Sequence, residues 1–142
     1  MKLKSLSNVV RIAINDDPAR VIEFNPDDVG FVERFYALID NVEAKENEIK
    51  EKLEEIRKDQ TESSYGMPNS IRREVQLTAE MCRYMREQID TVFGAGSSQT
   101  IFGDVNVPAM FGEFFTLIGP CISSARSGAV KKYTAKKKAT PK

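Results

Sequence analysis

Residues 92–115 read VFGAGSSQTIFGDVNVPAMFGEFF, a stretch in which two Phe-Gly pairs bracket a polar loop and lead into an apolar segment. Gly94 can end a helix because glycine adopts the left-handed conformation without steric cost, and residues 96–98 are typical of a turn. A new helix is predicted to begin near Pro108, since proline suits the first helical position and Asn106 can cap it. The stretch therefore predicts a helix end, a turn and a helix start.

The segment that follows Pro108 is the most apolar part of the chain. Its apolar side chains are Met110, Phe111, Phe114, Phe115, Leu117, Ile118, Cys121 and Ile122. Pro120 cannot donate a hydrogen bond to the carbonyl four residues back, so Gly119-Pro120 predicts a kink or a break. We expect a second short helix over residues 121–132.

Upstream of this stretch, apolar residues recur at alternating steps of three and four and predict two long helices joined as a hairpin. The first helix is expected to start at Asn25-Pro26, with Asn25 as its cap, and to run to about residue 58. The second is expected from Ser70 to Val92, separated from the first by a mobile polar loop at residues 59–69. The apolar set of the second helix is Ile71, Val75, Cys82, Met85, Ile89 and Val92.

Before the helices, residues 8–14 place Val10, Ile12 and Ile14 on one face of an extended segment, a period of two, and residues 21–24 form a second β-rich run. Asp16, Asp17 and Pro18 between them favour a turn, so residues 8–24 predict a β-hairpin. The fold class is therefore α+β and mostly α, with an N-terminal β-hairpin, a long helical hairpin and a Pro-kinked third helix. We expect one domain over residues 1–133 and a disordered basic tail at 134–142.

The composition is that of one globular domain, with 41% hydrophobic and 30% charged residues in 142 positions. No run approaches the ~20 apolar residues that span a bilayer, so we expect a cytosolic protein without membrane contact. Cys82 and Cys121 occupy apolar helical positions, where reduced cysteine acts as a small hydrophobe, and a disulfide is the alternative.

Catalytic and cofactor signatures are missing from the sequence. The chain has no His, so a Ser or Cys nucleophile would lack its usual base. Residues 94–103 are rich in Gly and Ser but match neither phosphate-binding pattern, and the Asp pairs at 16–17 and 27–28 are explained by a turn and a helix start. We therefore predict a protein that is not an enzyme and that uses no cofactor or metal.

Binding to another protein is the remaining class of function. The first helix is longer than a compact domain of this size can cover, so its distal residues Ile49, Leu53 and Ile56 either pack on the second helix or mediate oligomerisation. The apolar set Met110, Phe111, Phe114 and Phe115 is either core or partner surface. Lys136, Lys137 and Lys138 lie in a basic tail that can contact nucleic acid, dock on acidic helices or remain solvated.

Four strings carry a resemblance to a known family: FNPDD at residues 24–28, the charged helical hairpin, IDTVFGAGSSQTIFGD at 89–104 and MFGEFF at 110–115. With these the chain resembles the small tail assembly chaperones of long-tailed phages and prophages of Gram-positive bacteria. The resemblance implies a protein that keeps the tape-measure protein soluble in the host cytoplasm, recruits tail tube subunits and leaves before the virion matures.

Members of that family are often also made in a longer, frameshifted form, and they have no catalytic residue to transfer. Two other interpretations stay open at this point. One is a structural component of the phage tail or virion. The other is a small phage regulator or inhibitor that binds nucleic acid or a host protein.

Overall fold

A computed structural model of the chain describes residues 8–139, with side chains to residue 128. The described residues form two strands and four helices in the order expected of a mostly α fold with an N-terminal hairpin, which confirms the predicted fold class. The elements are β1 (Val10–Ala13), β2 (Val21–Phe24), α1 (Val29–Ile56), α2 (Asn69–Phe93), α3 (Ser97–Phe102) and α4 (Pro108–Ala139).

The β-hairpin has the predicted period of two. Val10 pairs with Phe24 and Ile12 with Ile22 in an antiparallel register, which turns these side chains toward the helices. The opposite face is solvent-exposed and carries an ion pair of 3.1 Å between Arg11 Nε and Glu23 Oε1. A two-stranded sheet is only marginally stable alone, so it depends on this packing.

Helix α1 starts later than the sequence predicted. The expected cap, Asn25, instead closes a turn before the helix, in which its side-chain oxygen accepts a hydrogen bond of 3.0 Å from the Asp27 amide. Asp28 is the true cap, and its carboxylate accepts from the Gly30 amide at 3.0 Å. Both residues are good caps, and the three-residue error arises because Asn25 makes the same kind of bond in a turn.

Helices α1 and α2 pack against each other as the predicted antiparallel hairpin. Helix α1 has 28 residues, so it is about 42 Å long. Lys45 Nζ donates to Glu80 Oε1 at 3.0 Å and Asn41 Nδ2 to Gln88 Oε1 at 3.1 Å, which link the two helices along their exposed edge. Exposed ion pairs contribute little free energy, so buried side chains supply most of the stability of this contact.

Helix α3 stands where the sequence predicted a turn. A six-residue helix has little stability of its own, and its two ends are satisfied by distant residues. Asp90 accepts from the Ser98 amide at 2.7 Å at the first end. Arg20 donates to the Thr100 and Ile101 carbonyls at the other end. The sequence pattern alone could not reveal these long-range caps.

Helix α4 is continuous through Pro120, so the predicted separate helix from residue 121 is corrected. Pro120 and Thr116 both lie on the exposed side, where water can satisfy the carbonyl that proline leaves without a donor. The helical backbone reaches Ala139, beyond residue 133 at which the domain was expected to end. Ala and Lys are good helix formers, which explains the extension, and residues 140–142 of the predicted tail lie outside the described residues.

Phenylalanine rings from five elements form one aromatic cluster in the core. The members are Phe24, Phe31, Phe35, Phe93, Phe102, Phe111, Phe114 and Phe115. The closest pair is Phe102 with Phe111, at 4.5 Å between ring centroids. Edge-to-face and offset contacts of this kind add to the free energy of burial.

Two neighbouring rings of α4 that differ in burial provide a test of this core. Replacing Phe114, which is buried, with Ala should lower the free energy of unfolding by about 3–5 kcal/mol. Phe115 is half-buried at the edge of the same cluster, so Phe115→Ala should cost clearly less. Urea denaturation of the two variants beside the wild type measures the difference. Equal losses would contradict the placement of Phe114 in the core.

Candidate protein-binding surface

The predicted partner-binding residues lie mainly inside the protomer. Phe111 is 0% exposed and Phe114 is buried in the aromatic cluster, so neither ring is available to a partner. Met110 and Phe115 are partly buried against the same core. The structure therefore supports the core interpretation of the aromatic helix, which the sequence had left open beside the partner interpretation.

The distal residues of α1 are also covered by the chain itself. Ile49 and Ile56 are buried, and Leu53 is partly buried in the same core as Leu77 of α2. Of the two interpretations left open, packing on the second helix accounts for this face. The predicted basic contacts Lys136, Lys137 and Lys138 lie in the helical backbone of α4, in the part where side chains are not described.

An exposed apolar surface is present instead at the tip of the helical hairpin, where the connecting loop enters α2. It consists of Tyr65 (94% exposed), Met67 (61%), Ile71 (48%) and Val75 (62%), and is called the tip surface below. These side chains line one groove of about 460 Å³ together with Pro68. Large apolar side chains grouped in this way on a small protein are typical of an interaction site.

The loop that presents the tip surface, which the sequence predicts to be mobile, contains several hydrogen bonds of its own. The Ser63 amide donates to the Met67 carbonyl at 2.8 Å, and the Asn69 amide donates to the Thr61 carbonyl at 2.9 Å. Gly66 completes the turn at a φ of +74°, which glycine adopts without strain. This turn places Tyr65 and Met67 next to the start of α2.

Other grooves of the molecule are more polar. The groove between α1 and α2, of about 560 Å³, is lined largely by charged residues such as Glu51, Lys52 and Glu80. A second groove, of about 430 Å³ beside β1 and α4, is lined mostly by apolar side chains, with Arg20 and Glu113 also in its wall. Several of its apolar residues, such as Phe102 and Phe114, are buried in the core, whereas those of the tip surface are exposed, so the tip surface is the stronger candidate for binding apolar groups.

Charged side chains at the tip are mostly paired with each other. Arg57 Nε lies 3.5 Å from Glu74 Oε1, and Arg73 Nη1 lies 3.7 Å from Asp59 Oδ2. Arg72 lines the groove of the tip surface and makes no ion pair with a described side chain. The surface thus has an apolar centre with a cation at its border.

The Gly- and Ser-rich segment at residues 94–103 does not form an anion site. The amide of Ser98, at the start of α3, already donates to Asp90 Oδ1 at 2.7 Å, and the Ser98 hydroxyl donates to Asp90 Oδ2 at 3.1 Å. A carboxylate of the chain therefore occupies the position that a phosphate would take.

The cysteines and carboxylates within the described residues form no metal site, since no three of them cluster in a way that could hold an ion. Cys82 and Cys121 are both free thiols. Burial raises the pKa of the Cys82 thiol, which makes it a poor nucleophile and fits its predicted place in the core. No helix in the described range is long and apolar enough to cross a membrane.

The chain belongs to a family of unknown function, DUF6673, whose model matches residues 19–141. That range contains β2 and all four helices of the described structure. No curated protein and no solved structure matches the chain. The family description carries no activity, so the function must be argued from the surface itself.

The sequence contained a signal for the tip surface, but the apolar spacing of α2 indicated a different placement for two of its residues. Ile71 and Val75 continue the apolar spacing of α2, and this spacing predicts that they share the face of Cys82, Met85 and Ile89. In the structure that face is continued by Leu77, while Ile71 and Val75 point outward. The useful signal was the neighbouring pair Tyr65 and Met67, two large apolar residues inside a loop of otherwise polar character.

Asp59 stabilises the start of the loop and provides a pH-dependent test. Its Oδ1 accepts from the Thr61 hydroxyl at 2.6 Å and from the Thr61 amide at 2.9 Å, and these bonds, with Arg73 nearby, hold the pKa of Asp59 below its usual range. Because the folded pKa is the lower one, these bonds stabilise the loop above the ordinary aspartate pKa of ~3.9 and are lost as the pH falls through the folded value.

An NMR titration of the Asp59 carboxyl carbon should therefore show a midpoint below that ordinary value. The Thr61→Val variant removes the hydroxyl donor and should move the midpoint upward. A wild-type midpoint at or above the ordinary value, or one that is unchanged in Thr61→Val, would contradict the hydrogen bonds described for this loop.

Proposed function

We propose that the protein is a non-enzymatic tail assembly chaperone of a phage or prophage, which binds the tape-measure protein and recruits tail tube subunits to it in the host cytoplasm. The strings at residues 24–28, 89–104 and 110–115 resemble those of small tail assembly chaperones, and this resemblance supports the assignment to a phage or prophage. The observation that supports a binding role is the tip surface, which exposes Tyr65, Met67, Ile71 and Val75 on an otherwise charged hairpin.

The physical argument for a chaperone concerns what the tip surface can do for an apolar client. A long helical protein with uncovered apolar faces aggregates unless these faces are buried, and burial of apolar area is favourable by roughly 25 cal/mol per Å². Tyr and Met are suited to such contacts, because both present large, adaptable apolar area. A surface at the end of a helical hairpin can reach a client without interference from the rest of the chain.

Co-expression with the tape-measure protein encoded in the same genomic region tests the proposal directly. We expect the tape-measure protein to be recovered in the soluble fraction as a complex with this chain, and mature particles to lack this chain. Its presence in mature particles would favour a structural tail component. Failure to bind either the tape-measure protein or the tail tube protein would overturn the proposal.

The double variant Tyr65→Ser and Val75→Ser tests whether the tip surface makes the contact. Each substitution removes an exposed apolar side chain that contributes about 1–2 kcal/mol when it is buried in a contact. The affinity of the double variant for the client should therefore fall about a hundredfold, and less client should be recovered. Because both side chains are exposed, the free energy of unfolding should change by less than ~0.5 kcal/mol for each substitution.

The matched control for this experiment is Tyr36→Ser. Tyr36 is also an exposed aromatic residue, but it lies on α1 outside the groove of the tip surface. Its substitution should leave recovery of the client unchanged. Equal loss in the control and in the double variant would show that the contact does not depend on the tip surface.

A further inference from the structure

The border of the tip surface is asymmetric in charge. Ile71 and Val75 are four residues apart on α2 and so form one face, and Arg72 lies at the flank of that face, three residues before Val75. Arg72 lines the same groove as the apolar residues. A guanidinium at this position borders the space in which a bound apolar group would lie.

The other guanidinium groups near the tip already have carboxylate partners. Arg57 pairs with Glu74 at 3.5 Å, and Arg73 pairs with Asp59 at 3.7 Å. Arg72 has no such partner among the described side chains, although its planar group is well suited to bind a carboxylate through two parallel hydrogen bonds. Arg72 is therefore a cation without a paired carboxylate at the border of the tip surface, and a binding partner can supply that carboxylate.

The backbone of the tip restricts the form of that partner. The amides of the loop at Ser63, Gly66 and Asn69 are bonded within the loop, and the tip has only an isolated bridge between Glu62 and Pro68 in place of a strand. An extended peptide that pairs with a sheet edge would therefore find no row of free backbone groups on the described tip. A helix satisfies its backbone internally and offers only side chains, which is what the groove can accept.

We propose that the tip surface binds an amphipathic helix of the client, with apolar residues at steps of three and four in the groove and a bordering Asp or Glu paired with Arg72. The inference rests on the proposed function and specifies the client segment. A second copy of the chain is a weaker occupant, because the apolar residues of α1 that neighbour acidic residues, such as Ile49 and Ile56, are already buried.

Two synthetic helical peptides of about 20 residues are the probes for this proposal. Both have the same Leu stripe, and one carries Glu and the other Lys at the bordering positions. Each is labelled with a fluorophore and titrated with the full chain by fluorescence anisotropy. We expect the Glu peptide to bind about tenfold more tightly than the Lys peptide, and the preference to weaken as salt is added.

The decisive variant is Arg72→Glu, which should reverse the preference so that the Lys peptide binds more tightly. Arg83→Glu is the matched control, because it makes the same change of charge at an exposed position of α2 outside the groove. It should retain the preference of the wild type. Circular dichroism of both variants verifies that the helices are intact.

Three results would overturn the proposal: no binding of either peptide, equal binding of both by the wild type, or an equal reversal in Arg83→Glu. Concentration-dependent dimerisation that Arg72→Glu abolishes would also overturn it, in favour of a second copy as the occupant. These outcomes are separable from the fate of the proposed function. Peptide binding with no capture of the tape-measure protein would reject the phage role and retain the helix-binding site. Capture of the tape-measure protein without peptide binding would retain the phage role and reject the helix-binding site.

Discussion

The packing of the Phe93 ring is the contact on which the arrangement of the elements depends. Phe93 is the last residue of α2, and its ring lies 5.4 Å from that of Phe31, 5.9 Å from Phe24 and 5.5 Å from Phe114. One side chain therefore connects α2 with β2, α1 and α4. Gly94, at a φ of +113°, ends α2 directly after this ring and turns the chain into α3.

Local signals in the sequence were sufficient for the elements whose boundaries depend on nearby residues. The alternation at Val10 and Ile12 gave the hairpin, and Gly94 gave the end of α2. The signals failed where the deciding partner was distant in sequence. Helix α3 is capped by Asp90 at one end and by Arg20, eighty residues before Thr100, at the other. No pattern within residues 97–102 contains that information, so a turn was the natural prediction for them.

The candidate site was harder to predict than the fold for a related reason. Spacing identifies the residues that share a face of a helix, but it does not identify which face meets a neighbour at each point. Along α2 the covered face includes Met81, Met85 and Ile89, and toward the loop it passes to Leu77. Ile71 and Val75 keep the expected spacing and yet lie outside the contact. The exposed fraction of these side chains is a property of the packed hairpin and not of either helix alone.

The phenylalanine-containing strings of the resemblance and the residues proposed to bind a partner are thus two separate sets. Phe93, Phe102 and Phe111 belong to the strings of the resemblance, and they build the core. The tip surface begins at Val75, about 27 Å from Phe93 along α2, at 1.5 Å for each of the 18 steps between them. At that distance a substitution in the tip surface leaves the aromatic contacts intact. The apolar side chains at the end of the hairpin can therefore vary without a change in the core, because the stability of the core sets no requirement on them.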